Sequence, residues 1–366
     1  MVRQMTERFY VDFHVLQTIP PSNVNRDDVG SPKTAVYGGV TRARVSSQAW
    51  KRAMRLYFLE NSLFTPEQMG ERTMRIVEKV AEQIHVLDAN ADAEKMAVEA
   101  LNKAGLKIKS VEKGAGALFF MSAGQASALA ALAVFGDNDA KQYKAALKEA
   151  PSVDISLFGR MVADDPSLKY DAAAQVAHSI STHAVQNEYD YFTAVDDRSP
   201  EDSNGTKHLG TVEYNSSTLY RYATVNVTEL FSNLGEETAH AVRGFTEAFI
   251  QSMPTGKQNT FANRTPAAMV YVAIRRDQPV NLVGAFETPV RRKEEGGYEA
   301  LSEEKFVEYA KKVYQGFAAE PELALGCSLH GKLANLPGTA VSSVPKLLDT
   351  LEEEVAKRLN IGKEKQ

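Results

Sequence analysis

The segment from Tyr37 to Arg55, YGGVTRARVSSQAWKRAMR, predicts a tight glycine turn, a short strand and a helix in immediate succession. Residues two apart on a strand point to the same face. Arg42 and Arg44 are therefore expected on one face of this strand, with Ala43 and Val45 on the other. The segment predicts a strand whose end and following helix both carry positive charge.

A serine at the strand end marks the start of the helix. The hydroxyl of Ser46 or Ser47 can accept a hydrogen bond from a free amide of the first helical turn. Apolar residues then recur at helical spacing and predict the buried face of the helix: Trp50, Met54 and Tyr57.

Between Asp28 and Glu60 the sequence has cationic side chains and no acidic one. The six cations are Lys33, Arg42, Arg44, Lys51, Arg52 and Arg55. Unsatisfied amides, the helix dipole and side-chain charge converge at such a helix N-terminus, which suits a polyanion. A solvated basic surface is the alternative interpretation, and charge alone does not decide between the two.

Length and composition narrow the class of protein. A chain of 366 residues predicts one large elaborated domain or two domains. The content of 43% hydrophobic and 24% charged residues is ordinary for a globular protein, and the net charge of −5 restricts any nucleic-acid site to a local groove. The single cysteine excludes an internal disulfide framework. Without a signal-like or membrane-spanning apolar run, we expect a cytoplasmic protein with no membrane partner.

The chain first alternates as a strand over Phe9–Gln17 and then enters a polar loop. The loop contains Asp27 and Asp28, which suit either a turn or a metal. Helical patterns with caps follow from Thr65 to about Pro151, beginning with the capping box at 65–68. Further helices are predicted at 236–253, at 302–317 and after Pro345.

Strand patterns account for much of the remainder. They are assigned to 153–162, 175–185, 188–195, 211–214, 218–227 and 267–276. Alternation over 175–185 predicts His178 and His183 on opposite faces, which argues against a shared metal. The segments around 188–195 and 211–227 predict a long aromatic hairpin with a polar, glycine-containing tip.

Common catalytic motifs are absent from the sequence. It contains no GxxxxGK[ST], GxGxxG, GxSxG or HExxH, and no Cys–His nucleophile pair is evident. The loop PTGKQNTF at 254–261 can reach a phosphate, although one Gly-Lys pair is a weak signal. These absences favour a binding protein that is not an enzyme and has no metal or cofactor.

Six segments in order resemble the CasC (Cse-type) backbone subunit of the type I-E CRISPR interference complex, Cascade. They are VNRDD (24–28), YGGVTRARVSSQAWKRAMR (37–55), VDISLFGRM (153–161), AHSISTHAVQNEYDYFTAVDD (177–197), HLGTVEYNSSTLYRYATVNV (208–227) and KQNTF (257–261). Together they extend over most of the chain.

The resemblance implies an α+β fold shaped like a right hand. An RRM-like (ferredoxin-like) palm would carry a helical fingers insertion and a long β-hairpin thumb. The implied boundaries are palm at 1–60, 152–190 and 224–366 with a C-terminal helix, fingers at 61–151 and thumb at 191–223.

The resemblance also implies RNA-binding positions. Contacts to the RNA are expected from Arg26, Lys33, Arg42, Arg44, Ser46, Gln48, Lys51, Arg52, Arg55, Arg160, Met161 and Lys257. Residues at the base of the thumb, where a base is kinked, are expected to be Tyr191, Phe192, Thr193, His208 and Leu209. Val40 stands where some relatives have Lys, so the phosphate contact of that Lys is expected to be missing or supplied by another residue.

The implied function is non-catalytic. The chain would bind a CRISPR guide RNA (crRNA), form a filament of its own copies along it, and hold the guide for target DNA in antiviral defence. Its other partners would be the large, small, tail and crRNA-processing subunits of Cascade. Two alternatives remain: a metal-dependent endoribonuclease that cuts target RNA through Asp27 and Asp28, and a scaffold protein without nucleic acid.

Overall fold

A large mixed sheet organises the fold. The structure is a computed structural model that describes residues 7–136, 139–162, 165–193 and 209–361. The strands of this part are β1 (Tyr10–Ser22), β2 (Thr34–Tyr37), β3 (Val40–Val45), β4 (Glu71–Thr73), β5 (Phe119–Met121), β6 (Ala174–Val176), β7 (Ser179–Ser181), β8 (Glu188–Thr193), β9 (Leu209–Asn226), β10 (Met269–Arg275), β11 (Leu323–Ser328) and β12 (Thr339–Val341).

The main sheet has the order β12-β11-β10-β1-β9-β7-β3-β2, and β6 and β8 also pair with β9. The parallel pair in this sheet is β11 with β12, and its other described pairs are antiparallel. Strands β4 and β5 form a separate two-stranded sheet. The fold is therefore of the mixed α+β class.

Helices pack on both faces of the sheet and build the region between β3 and β6. They are α1 (Ser47–Glu60), α2 (Ile76–Leu87), α3 (Ala93–Lys103), α4 (Ala123–Val134), α5 (Ala140–Ala146), α6 (Val153–Phe158), α7 (Val227–Leu234), α8 (Thr238–Gln251), α9 (Gln258–Phe261), α10 (Glu299–Gly316) and α11 (Val344–Leu359). In the described residues, no helix is both long and apolar enough to cross a bilayer.

The alternation of β1 separates two cores. Phe13 and its alternate neighbours pack with helices α1, α7, α8 and α11, as the predicted strand pattern requires. The opposite face is also buried: His14 lies among the rings of Tyr220, Tyr222, Tyr271 and Phe306 at centroid distances of 5.2–6.1 Å. Because helix α10 covers this second face, polar residues of β1 are enclosed as completely as the apolar ones.

The helical region after α1 has a core of its own. Helices α2, α3, α4 and α5 with the β4–β5 pair enclose a cluster that contains Ile84, Leu101, Leu129 and Leu147. The predicted capping box at Thr65 is present, and α4 begins at the capping serine Ser122. The prediction of a mostly helical segment is confirmed, and its apolar stripe explains why it forms a separate cluster.

The predicted hairpin is present as β8 and the first part of β9. The pairing runs from Glu188 opposite Tyr214 to Thr193 opposite Leu209. From Asn215 onward β9 pairs with β1 in the main sheet, so one continuous strand connects the hairpin to the body. The predicted polar tip at 198–207 lies outside the described residues.

One strand prediction is wrong. Residues 153–158 form helix α6, capped by Ser152, whose hydroxyl accepts a hydrogen bond from the amide of Ile155. Gly159, with φ of +76°, ends the helix in a conformation that favours glycine. The apolar run was too short for its periodicity to distinguish a strand from a buried helix.

The strand predicted over 175–185 is broken into β6 and β7. Both pair with β9, but β7 also pairs with β3, and the chain steps between them at Ala177 and His178. This break places His178 on the surface, whereas His183 is buried and stacked on Tyr298 at a centroid distance of 3.6 Å.

Candidate nucleic-acid interface

The decisive segment folds as its sequence predicts. Gly38 and Gly39 have φ of +60° and +77° and reverse the chain between β2 and β3. A Cβ on Gly38 would lie 1.7 Å from the carbonyl oxygen of Glu287, so only glycine fits. Ser46 caps α1 by accepting a hydrogen bond from the amide of Ala49 at 3.3 Å. The turn, the strand and the capped helix are all confirmed.

Helix α1 is fixed to the sheet by its apolar face. Trp50 and Met54 are buried as predicted, while Tyr57 is half-buried and donates its hydroxyl to Glu247. The indole N–H of Trp50 donates to the hydroxyl of Ser179 at 2.9 Å. The helix that carries the cations is therefore held in a fixed position on the sheet.

A cation beneath Trp50 was not anticipated from the sequence. The guanidinium of Arg221 lies 3.7 Å from the centroid of the Trp50 ring and donates to Gln17 and to the carbonyl of Phe249. Complete burial lowers the pKa of Arg221 to about 9. The sequence shows Arg221 only as an arginine between two tyrosines of a predicted strand, and nothing in that pattern indicates that it stacks on Trp50.

Arg42 does not reach the surface. Its guanidinium is buried and donates to the carbonyl oxygens of Tyr37, Ser181, Phe286 and Glu287 at 2.8–3.2 Å. It therefore joins the β2–β3 hairpin to β7 and to the loop before α10. The expected RNA contact for Arg42 has no surface atom to support it.

Arg44 lies near the end of β3, shortly before α1. It donates to the carbonyl of Thr34 at 3.0 Å, and its guanidinium is 3.4 Å from the ring of His178. Burial, together with the charges of Arg44 and Lys33, lowers the pKa of His178. Arg44 and Lys33 are partly exposed, and Gln48 is exposed on the first helical turn. Ser46, by contrast, is buried as the cap.

The later cations of α1 differ in their freedom. Arg52 is exposed, and the described residues offer it no carboxylate partner within ion-pair distance. Lys51 is half-buried with its ammonium 5.9 Å from the ring centroid of Phe158, and this burial lowers its pKa. Arg55 is held by the buried carboxylate of Asp154 at 2.9 Å. As far as the structure describes the chain, Arg52 is thus unconstrained, whereas Lys51 and Arg55 are held by packing and by an ion pair.

Arg160 and Met161 have opposite environments. Arg160 is buried and donates to the carbonyls of Phe120, Leu147 and Leu168 and to the side chain of Gln125. Burial lowers its pKa to about 10. Met161 is 88% exposed. Arg160 therefore anchors the segment, and the next side chain projects into solvent.

The hairpin also presents aromatic side chains. Tyr191 and Phe192 are 68% and 54% exposed, and Thr193 next to them is exposed. Phe192 lies across Gly210, where an added Cβ would be 2.4 Å from its ring. Leu209 pairs with Thr193, and His208 lies outside the described residues.

The base of the hairpin meets two loops. Glu213 accepts hydrogen bonds from Ser31 and Asn187 at 2.9 and 3.1 Å. Tyr214 packs against Phe261 of the KQNTF segment at a centroid distance of 5.8 Å. Lys257, with φ of +50°, precedes α9 and is partly exposed. Three of the six segments that carry the resemblance (177–197, 208–227 and 257–261) therefore meet at the base of the hairpin.

Arg26 and the two aspartates lie on the loop between β1 and β2. Arg26 is exposed. The carboxylate of Asp27 accepts hydrogen bonds from the amides of Val29 and Ser31 at 3.1 and 2.9 Å, which is a turn-stabilising arrangement. Throughout the described ranges, no three His, Cys, Asp or Glu residues are grouped to hold a metal ion.

Known proteins resemble this chain over nearly its whole length. The family model described as CT1975-like protein (Cas_CT1975) matches residues 11–353. A subunit of a structure titled "CRISPR RNA-guided surveillance complex, pre-nicking" is 33% identical, with a TM-score of 0.78 over 94% of this chain and 100% of that chain. A subunit of another "CRISPR RNA-guided surveillance complex" is 29% identical, with a TM-score of 0.62 over 94% and 99%.

No curated protein matches the chain. The family match nevertheless covers most of its length, and the structural match covers 94% of it. The chain therefore belongs to the CT1975-like family of Cas proteins.

Proposed function

We propose that this protein is a non-catalytic subunit that binds crRNA in a type I-E Cascade complex. The observation that carries the proposal is that the basic helix α1 contacts the segment that leads to the exposed Met161. Lys51 lies beside Phe158, the last residue of α6, and Met161 follows three residues later with 88% of its surface exposed. Positive charge and an exposed apolar side chain together suit a nucleic-acid strand, because such a strand offers both phosphates and bases.

The phosphates would be contacted without reading sequence. Scattered cationic and polar side chains bind backbone oxygens of any RNA, as a subunit that accepts every guide must. We assign this role to the accessible members of the predicted set: Arg26, Lys33, Arg44, Gln48, Lys51, Arg52, Arg55 and Lys257. Arg42, Ser46 and Arg160 are buried and would hold the neighbouring elements in position.

The bases would meet apolar side chains. Met161 and the hairpin residues Tyr191 and Phe192 are exposed although they are large and hydrophobic. Aromatic stacking on a base contributes roughly 1–3 kcal/mol and does not depend on the identity of the base. This supports a kinked base beside Met161 and a thumb role for the hairpin.

On this proposal the sheet is an RRM-like palm, the α2–α5 cluster is the fingers and the β8–β9 hairpin is the thumb. Copies of the chain would stack along one guide RNA, which would pair with target DNA. The large, small, tail and crRNA-processing subunits of Cascade would complete the assembly. The similarity to subunits of CRISPR RNA-guided surveillance complexes supports these partners.

The endoribonuclease alternative is not favoured. Asp27 uses a carboxylate oxygen to stabilise its own turn, and this is an ordinary structural role. To test it, the assembled complex would be incubated with complementary RNA and a divalent metal. Regularly spaced cuts that Asp27→Ala abolishes would contradict the non-catalytic proposal.

The proposed function is tested by purifying the full chain after expression with its neighbouring operon products. We expect a large complex containing RNA of uniform length, with high absorbance at 260 nm. A protein without RNA under these conditions would favour the scaffold interpretation and refute the proposal.

A further inference from the structure

One aromatic ring at the junction of α1 and the fingers lies close to two guanidinium groups. The guanidinium carbon of Arg55, from α1, is 4.5 Å from the centroid of Phe120. That of Arg72, from β4, is 5.0 Å from the same centroid. The separation of the two cations therefore cannot exceed the sum of these two distances. One cation from α1 and one from β4 therefore converge on a single ring.

This arrangement depends on close packing around Gly70. An added Cβ on Gly70 would lie 2.7 Å from the Phe120 ring and 3.2 Å from the carboxylate of Asp154. The amide of Gly70 donates to Asp154 at 2.8 Å, and its carbonyl accepts from Arg55 at 3.2 Å. The backbone before β4 is thus held against α1, which fixes the position of Arg72 relative to Arg55.

The negative charge at the junction is already engaged. Asp154 is buried and accepts from Arg55, the amide of Gly70 and the hydroxyl of Ser152. Among the described residues, Arg72 has no carboxylate within ion-pair distance. Partial burial and the nearby charge of Arg55 lower the pKa of Arg72, as expected for two cations held close together. The charge of Asp154 acts in the opposite direction on Arg72, so within the described residues one buried carboxylate faces two guanidinium groups, of which it hydrogen-bonds that of Arg55.

We propose that Arg72 binds a phosphate of the guide RNA together with Arg55, and that the Asp154–Gly70 contact positions the pair. Arg72 is exposed, and the side chain of Arg55 is 24% exposed, so both guanidinium groups have access to a ligand. Guanidinium groups bind phosphate oxygens through paired N–H donors. Arg55 lies one helical turn beyond Lys51, so an RNA strand bound along α1 would reach this junction.

This inference rests on the proposed function and adds a contact from the fingers. The test measures binding of the full chain to a single-stranded RNA and to a DNA duplex across a range of salt concentrations. Arg72→Ala is compared with Arg75→Ala, a nearby exposed cation whose partner is Glu78 at 3.7 Å. Arg72→Gln is a second variant, because it removes the charge and keeps a longer polar side chain than Ala. Thermal unfolding confirms that each variant is folded.

We expect Arg72→Ala and Arg72→Gln to bind RNA about tenfold more weakly and to reduce the salt slope by about 0.7, the value for one phosphate contact on a single strand. Arg75→Ala should match the wild type. Equal behaviour of the Arg72 and Arg75 variants would overturn the inference while leaving the proposed function intact. A loss of affinity seen only with the DNA duplex would overturn the assignment of the Arg72 contact to the guide RNA. Failure of the wild type to bind RNA would instead refute the proposed function.

Discussion

Removing the carboxylate of Asp154 should destabilise the junction between α1 and the fingers. Asp154 is fully buried and accepts hydrogen bonds from Arg55, Gly70 and Ser152 at 2.7–2.9 Å. Asp154→Ala leaves the Gly70 amide and part of the Arg55 guanidinium without partners. Asp154→Asn retains one acceptor oxygen but removes the charge.

The expected magnitude follows from these contacts. Breaking a buried ion pair by removing one partner costs about 3–5 kcal/mol. The side chain of Arg55 is 24% exposed, so water compensates it in part and the lower half of that range applies. We therefore expect Asp154→Ala to lower the free energy of unfolding by about 3–4 kcal/mol and Asp154→Asn by about 2 kcal/mol.

Urea unfolding followed by circular dichroism measures both losses. Asp171→Ala is a suitable control, because Asp171 pairs with Lys169 at 2.7 Å with both side chains exposed, and surface pairs contribute less than about 1 kcal/mol. A loss below about 1 kcal/mol for Asp154→Ala would refute the argument that this carboxylate positions Arg55.

Three further predictions concern the body and the hairpin. Burial lowers the pKa of His14 to about 3, so the neutral ring's contribution to stability is fully present above about pH 6.5. This contribution is lost as pH falls, because the unfolded chain binds the proton first. Between about pH 8 and pH 5, the free energy of unfolding in urea should therefore fall by about 2 kcal/mol less in His14→Gln than in the wild type. An unchanged pH dependence in that variant would contradict the assignment. Trp50→Phe should lower the free energy of unfolding in urea by about 1–3 kcal/mol, because it removes the donor to Ser179 and weakens the stacking on Arg221. An unchanged free energy of unfolding would contradict this. Gly210→Ala should displace Phe192 in a crystal structure while the free energy of unfolding changes by less than about 0.5 kcal/mol; an unmoved ring would contradict the predicted clash.

Local signals in the sequence predicted much of the fold. The glycine turn, the Ser46 cap and the apolar stripe of α1 depend on residues within a few positions of each other, so the sequence is sufficient to recognise them. The same holds for the capping box at Thr65. The short apolar run that forms α6 is different, because six residues do not distinguish the two periodicities.

The candidate site was less predictable because its contacts join distant parts of the chain. Arg42 appears in the sequence as one more surface cation, but its acceptors include carbonyls of Ser181 and Phe286. The association of Arg72 with Arg55 depends on β4 pairing with β5, which brings Phe120 between α1 and the fingers. Such contacts are set by tertiary packing, and charge pattern alone cannot reveal them.

The central claim is that the α1 cations bind the backbone of a guide RNA irrespective of its sequence. It is tested most directly by measuring the salt dependence of binding to two unrelated single-stranded RNAs, for the wild type and for Lys51→Ala combined with Arg52→Ala. We expect the wild type to bind both RNAs equally and the double variant to lower both salt slopes by about 1.4, which corresponds to two phosphate contacts. Wild-type affinities that differ strongly between the two RNAs, or slopes that the double variant leaves unchanged, would contradict the claim.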